Sequence, residues 1–264
     1  MKPVDVKRFA VLGSIGLALF LFDSTGFSAQ TRRASAFSYV KLGDQFADAG
    51  DMTRAIGAYN IALEFAPDFA PAYFGRGVAY QTRGALQDAI SDYSRTLELL
   101  PNSAEAYANR AYVFAMLREP EKAFSDWISA LQITPRLQSA FYNRGTFRLN
   151  RGEFDAAMVD FDRALEIDPD FGGAYNNRGI ARLGKGDFEE AVADFNRAIK
   201  ANSRHAEAYL NRGFVRMQQG RRAEAERDFA RSISLKPSLE TLIERRIADL
   251  SSIGPSPHQY TVID

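Results

Sequence analysis

Proton transfer and nucleophilic attack near neutral pH draw on histidine, cysteine and paired carboxylates, and this sequence is poor in the first two. Its 264 residues include two histidines, His205 and His258, and no cysteine. A thiol nucleophile, a disulfide framework and a zinc site with cysteine ligands are therefore excluded. His205 falls in a connecting segment and His258 in the terminal one, so both are expected to be solvated side chains rather than bases or ligands. Carboxylates abound, but no pair is set apart as an acid–base dyad. The run Gly179-Ile180-Ala181-Arg182-Leu183-Gly184-Lys185-Gly186 approaches a phosphate-cradling loop, yet it lacks the Ser/Thr after the lysine and has no preceding strand. Asp168-Pro169-Asp170-Phe171-Gly172 opens like a calcium loop, but Gly179 stands where the closing glutamate belongs. No catalytic residue, cofactor or metal site is expected, and the chain reads as a protein that is not an enzyme.

The composition fits that reading. Hydrophobic residues make up 46%, enough for a real core, and 33 basic residues balance 33 acidic ones. A net charge of zero excludes a strongly basic nucleic-acid binder.

A period of 34 organises most of the chain. Pro67, Pro101, Pro135 and Pro169 are 34 apart, Ser203 takes the next place and Pro237 resumes the series. Tyr39, Tyr73, Tyr107, Phe141, Tyr175 and Tyr209 keep the same step, as do Tyr59, Tyr93, Trp127, Phe161, Phe195 and Phe229. Ala55, Ala89, Ala123, Ala157, Ala191 and Ala225 form a third column. Within a unit, apolar residues recur at helical spacing on both sides of a turn such as Gly184-Lys185-Gly186-Asp187. Gly186 suits a left-handed helix end and Asp187 the cap of the next helix. The third unit has Arg118-Glu119-Pro120 there, so a non-glycine must serve the turn, and Pro120 fits a first helical position.

These columns resemble the tetratricopeptide repeat, whose 34-residue unit carries spaced aromatics, an alanine and a closing proline. The match covers residues 36–239 as six units: 36–69, 70–103, 104–137, 138–171, 172–205 and 206–239. The resemblance implies an all-α fold, two antiparallel helices per unit stacked into a right-handed superhelical solenoid. Numbering each unit from its first residue, glycine or alanine falls at position 8 and alanine at position 20. Glycine inside a helix costs about 1 kcal/mol relative to alanine, so Gly43, Gly77, Gly145, Gly179 and Gly213 are expected to let the helices approach closely, against the facing alanine.

Comparison among the units exposes a pair. Arginine holds position 7 as Arg76, Arg110, Arg144, Arg178 and Arg212, and aspartate holds position 23 as Asp92, Asp126, Asp160, Asp194 and Asp228. The first unit has lost both, with Leu42 and Ala58. An Arg–Asp bridge is expected within each later unit or between neighbours.

In the family, the first helix of each unit lines a concave surface that often meets an extended peptide. Carried over by position, that surface would include an amide ladder, Asn109, Asn143, Asn177 and Asn211, able to grip a peptide main chain through donor and acceptor together. The competing account is that these amides only meet water. Phe74, Tyr112, Tyr142, Asn176 and Phe214 would stand beside the ladder, or serve ordinary packing. A column of Arg148, Arg182 and Arg216 at position 11 would offer a stripe for an anionic partner, or would pair with Glu189, Glu190 or Glu224.

The ends read differently. Lys2, Lys7 and Arg8 precede an apolar run from Phe9 to Phe22, shorter than the roughly 17–25 residues of a membrane span and suited to a signal peptide. Residues 1–29 are expected to be that signal, or else an N-terminal membrane anchor, with 30–35 a linker. Without cysteine or an Asn-x-Ser/Thr sequon, the bacterial periplasm fits best, or the inner membrane facing it. Leu242, Ile243, Ile247 and Leu250 give 240–250 the pattern of a capping helix, as an open solenoid end requires, and 251–264 is expected to be a disordered tail. The expected function is a non-catalytic adaptor for protein or peptide partners, with no nucleic-acid partner. A self-associating scaffold, a homo-oligomer, is the alternative.

Overall fold

A computed structural model describes residues 28–253, and side chains as far as residue 248. Each 34-residue unit forms one antiparallel helix pair. The pairs are α1 (Ala29–Asp48) with α2 (Met52–Phe65), α3 (Ala70–Thr82) with α4 (Leu86–Leu99), and α5 (Ala104–Met116) with α6 (Pro120–Ile133). They continue with α7 (Gln138–Asn150) and α8 (Phe154–Ile167), α9 (Gly172–Lys185) and α10 (Phe188–Ala201), then α11 (Ala206–Gln218) and α12 (Arg222–Leu235). A 3-10 turn at Pro237–Leu239 leads into α13 (Glu240–Ile253), and there is no strand among the described residues.

The turn inside each unit follows from local chemistry. Gly50, Gly84, Gly152, Gly186 and Gly220 adopt φ between 74° and 86°, a left-handed conformation that glycine enters without a Cβ penalty. Arg118 takes the same place with φ 59°, the one positive-φ non-glycine among the described residues. Pro120 starts α6, where its missing N–H costs nothing. Asp187 sits at the N-cap of α10, but its carboxylate makes no capping bond, unlike Asp51 at the start of α2, which accepts from the Arg54 N–H.

The aromatic column at position 24 is buried in every unit, and each ring removed from water contributes about 2–3 kcal/mol. The position-8 glycines face these rings rather than the alanines expected opposite them. A Cβ at Gly179 would lie 2.7 Å from Phe195, and one at Gly145 would lie 2.9 Å from Phe161. The ring is the larger obstacle because it fills the gap between the helices that the alanine only borders.

Consecutive first helices adjoin one another along the array, from α1 against α3 to α9 against α11, and consecutive second helices do not meet to the same degree. The stack therefore curves toward its first helices, which line the inner face. Junctions between units are made by a second helix against the next first helix. The junction of α6 with α7 is the loosest: their backbones approach over a shorter stretch than at any other such junction. Its side chains explain this. At the other junctions position 10 is small, as at Ala79, Val113, Ala181 and Val215, but is Phe147 here, wedged edge-on against Phe124 and packed on Trp127 with centroids 5.5 Å apart.

The ends differ from expectation in two places. Residues 30–35 are not a linker but the opening turns of α1, capped by the Ser28 hydroxyl accepting from the Thr31 N–H at 3.1 Å. At the other end α13 continues to Ile253, three residues past the expected boundary, with Ile243 buried and Leu242 and Ile247 packed on the last unit's core. The expected signal segment through residue 27, the remainder of the expected tail from residue 254 and His258 lie outside the described residues.

Candidate functional site

The expected Arg–Asp pairing is present in all five later units, within each unit. Arg76 Nε and Nη2 donate to the two carboxylate oxygens of Asp92, both at 2.7 Å. Arg110–Asp126, Arg144–Asp160, Arg178–Asp194 and Arg212–Asp228 repeat this two-pronged geometry at 2.6–3.0 Å. The aspartates are buried. Burial works to lower the Arg178 pKa, but Asp194 and Asp162 override it and raise it above the ordinary arginine value. The third nitrogen, Nη1, reaches back to position 25 of the preceding unit: Arg76 to Asn60 at 2.6 Å, Arg110 to Ser94 at 2.9 Å, Arg178 to Asp162 at 2.5 Å and Arg212 to Asn196 at 2.6 Å. Arg144 alone lacks this bond, because its counterpart is Ile128, which is 49% exposed. In the second, third, fifth and sixth units one arginine thus ties its own helices together and clamps the unit behind it.

The second arginine column does not form an outward stripe. Arg148, Arg182 and Arg216 each donate Nη1 to the same buried aspartates, Asp160, Asp194 and Asp228, all at 2.7 Å. Their charge is spent inside, and the expectation of an anion-contacting surface is corrected accordingly. The expected glutamate partners contribute at the margin: Arg216 lies 3.4 Å from Glu224, and Arg182 donates to the Glu190 carbonyl at 3.2 Å.

The amide ladder is only partly available. Asn109 lies against the Tyr93 hydroxyl, which donates to Gln81 Oε1 at 2.7 Å. Asn177 donates to the Tyr142 hydroxyl at 3.3 Å and to Thr146 at 3.1 Å, and accepts from Asn176. Asn211 donates to Asn176 at 3.0 Å. Asn143, by contrast, has no side-chain hydrogen-bond partner among the described residues.

The apolar candidates divide in the same way. Phe214 is 4% exposed, packed on Phe229 and covered from α13 by the Arg246 guanidinium, 5.2 Å from its ring; Asn176 is 5% exposed between two ladder amides. Neither faces a groove, because the capping helix closes over the one and neighbouring amides enclose the other. Phe74 and Tyr142 are half-buried, leaning on Tyr93 and Phe161 respectively. Tyr112 remains open at 39% exposure, and one turn later Met116 is 49% exposed. Tyr112, Met116 and the uncommitted amide of Asn143 stand on α5 and α7, adjoining first helices of the inner face.

Positions 9 and 13 of the first helices are the columns that hold Tyr112 and Met116. In the first unit they hold Asp44 and Asp48, both exposed. The Tyr59 hydroxyl donates to Asp44 at 2.7 Å, and burial together with that carboxylate holds the phenol well above the usual tyrosine range. These acids gave no signal in the repeat pattern; they show only once the two columns are followed back to the first unit.

Residues suggestive of other chemistry are absorbed by the fold. Gly179 to Lys185 belong to α9, so there is no phosphate loop, and Lys185 pairs with Asp155. Asp168 accepts from the Asp170 N–H at 3.1 Å and from Gln138 at 3.3 Å. No group of three potential metal ligands occurs among the described residues. His205 is not solvated as expected. It occupies the N-cap position of α11 without a side-chain capping bond, with only 18% of its side chain exposed and Nδ1 3.5 Å from Glu207, and burial lowers its pKa. The described residues include no helix long and apolar enough to cross a membrane.

A family profile described as tetratricopeptide repeat matches residues 40–104, 86–138 and 176–240, and a second of the same description matches 139–171. No curated protein sequence matches the chain. Among solved structures, it resembles PilF of Pseudomonas aeruginosa with TM-score 0.73 and 18% identity over 83% of this chain and 99% of that one. The MamA protein follows at TM-score 0.54 and 29% identity, over 66% of this chain and 94% of that one. Cut9, of the APC/C assembly with Hcn1, gives TM-score 0.72 at 17% identity over 80% of this chain, which spans only 42% of its length.

Proposed function

The chain belongs to the tetratricopeptide repeat family, and from that membership we propose that it is a non-catalytic adaptor holding extended segments of partner proteins on its inner face. The observation that carries this reading is the exposed pair Tyr112 and Met116 beside the uncommitted amide of Asn143. Exposed aromatic and methionine side chains bury large area at modest entropic cost. A free amide can pair with a peptide N–H and C=O at once. In the fifth and sixth units the same surface is tied up by its own hydrogen bonds or closed by α13. The occupant is therefore centred on the third and fourth units, and the setting we propose is the bacterial envelope, on the strength of the basic and then apolar N-terminal sequence.

Site-specific photocrosslinking tests the reading. A photoreactive residue at Met116 on the inner face, compared with one at the exposed Val159 on α8, should capture a protein partner that Val159 does not. Tyr112→Ala should abolish that capture with helicity unchanged. Equal capture from both positions, or capture indifferent to Tyr112→Ala, would sink the groove as the binding surface. Cell fractionation with and without residues 1–27 tests the location.

A further inference from the structure

Following the two open columns along the inner face shows a separation of chemistry. At positions 9 and 13 the first unit presents Asp44 and Asp48, the third presents Tyr112 and Met116, and the fourth presents Thr146 and Asn150. These positions carry no cation in any unit. The one neighbouring inner-face cation of the first unit, Lys41, sits 4.7 Å over its own unit's Phe37 ring. The opposite end of the columns is closed by Phe214 beneath Arg246. The arginines of the molecule's interior are already matched to buried aspartates, so they do not offset the acids on this surface.

We infer that the occupant of the inner face is an extended peptide carrying an apolar side chain for Tyr112 and Met116 and a basic pair for Asp44 and Asp48. This deepens the adaptor reading and rests on it. The spacing follows from the fold. Adjoining first helices stand about 8–10 Å apart, so two steps from the third unit to the first cover roughly 16–20 Å. An extended chain advances about 3.3 Å per residue, which places the basic pair about five or six residues from the apolar anchor. Asn143 would take the main chain near the anchor, where an amide reads no sequence. The two ends of the peptide therefore contribute differently. The apolar anchor supplies most of the affinity by burial, and the basic pair supplies selection and salt dependence.

The test uses the full chain and fluorescein-labelled 14-residue peptides in a Gly/Ser/Thr background. Each carries one Phe with a Lys-Arg pair six positions away, in both orders, against counterparts with Glu-Glu or with no charged pair. Fluorescence anisotropy at low salt should show the basic peptide binding about tenfold tighter than the acidic one. That preference should shrink as salt rises toward 0.5 M. It should fall to less than twofold in Asp44→Asn/Asp48→Asn, while the uncharged peptide keeps its affinity. Asparagine at 44 retains an acceptor for Tyr59, and Asp48→Asn alone, which touches no hydrogen bond of the fold, should remove about half of the preference on a logarithmic scale. Basic preference that survives both variants, or indifference to peptide charge with binding still lost in Tyr112→Ala, overturns the basic-peptide inference and leaves the adaptor reading standing. Absence of any binding sensitive to Tyr112→Ala overturns both. Sedimentation showing a dimer that Tyr112→Ala dissolves would overturn the inference in favour of a second copy as occupant.

Discussion

In the second and third units the buried aspartate meets one arginine; in the fourth and sixth it meets two, and in the fifth two at close range with Arg197 at 3.5 Å as a third. The difference lies at position 11, one helical turn beyond the clamping arginine, where Tyr80 and Phe114 give way to Arg148, Arg182 and Arg216. In the earlier units the guanidinium lies between two rings: Arg76 is 5.5 Å from Tyr73 and 5.8 Å from Tyr80, and Arg110 is 5.7 Å from Tyr107 and 5.8 Å from Phe114. The later units keep the first ring and exchange the second for a second cation on the aspartate. The same interior problem, a carboxylate that fixes helix register but must not be left bare, is thus solved by cation–π contact in one half and by a second charge in the other. The second solution is less complete, since Nε of Arg148 and of Arg216 is buried without a partner. It also makes each later unit depend more heavily on its aspartate.

The largest effect should come from removing that aspartate. Asp194 is fully buried and accepts from Arg178 at 2.6 and 2.8 Å and from Arg182 at 2.7 Å. Asp194→Ala would leave Arg182 without a carboxylate and Arg178 with only Asp162 of the preceding unit, a loss of about 3–5 kcal/mol in urea unfolding followed by circular dichroism. Asp92→Ala strands one guanidinium that keeps Asn60 and two rings, so its loss should be smaller by about 1–2 kcal/mol. Equal losses at the two sites would break the comparison between the halves.

The boundary between the halves supplies the next effect. There Arg144 finds Ile128 instead of a hydrogen-bond acceptor, and Phe147 holds α7 away from α6. Ile128→Asn copies Asn60 and Asn196, which accept from Arg76 and Arg212 at 2.6 Å. It should stabilise the junction by about 1 kcal/mol and slow native-state hydrogen exchange across α6 and α7 about fivefold. The mirror change Asn60→Ile should loosen the junction of the first and second units by a similar amount. If neither change moves exchange at its own junction, the back-reaching bond is not what couples the units.

How much of this the sequence disclosed depended on whether a residue's role repeats. The helix pairs, the buried aromatics and the Arg–Asp bridge were legible because six copies of one unit act as their own alignment, and Leu42 with Ala58 showed the pair vanishing together. The destination of Arg148, Arg182 and Arg216 was not legible. A side chain one turn past the clamp can reach inward or outward, and a carboxylate already held by two nitrogens still has lone pairs to offer a third. The groove was read as uniform because its residues were carried over by position, whereas what opens or closes it is local: α13 over Phe214, Asn176 between its neighbours, nothing over Tyr112 and Met116. His205 was misplaced for the same reason, since the connection it occupies folds back on the first helix of its own unit, with its ring carbon 3.7 Å from a Cβ built on Gly172.

The smallest effect concerns the turn that sets the third unit apart. Five units turn on a glycine with φ between 74° and 86°, and the third turns on Arg118 at φ 59°. A left-handed residue with a Cβ costs about 1–2 kcal/mol, and nothing repays it here, because the exposed Arg118 side chain makes no hydrogen bond or ion pair among the described residues. Glycine would relieve the strain but carry more freedom into the unfolded chain, a cost of about 0.4–1 kcal/mol. Arg118→Gly should therefore stabilise the protein by about 0.5–1 kcal/mol, a rise in Tm of about 1–4 °C for a chain of this size. Gly152→Arg, which puts the third unit's solution into the fourth, should lower Tm by a similar amount. A loss of stability in Arg118→Gly would mean that the arginine holds the α5–α6 turn rather than being tolerated in it. The third unit would then differ from its neighbours by design in its turn as well as in Ile128.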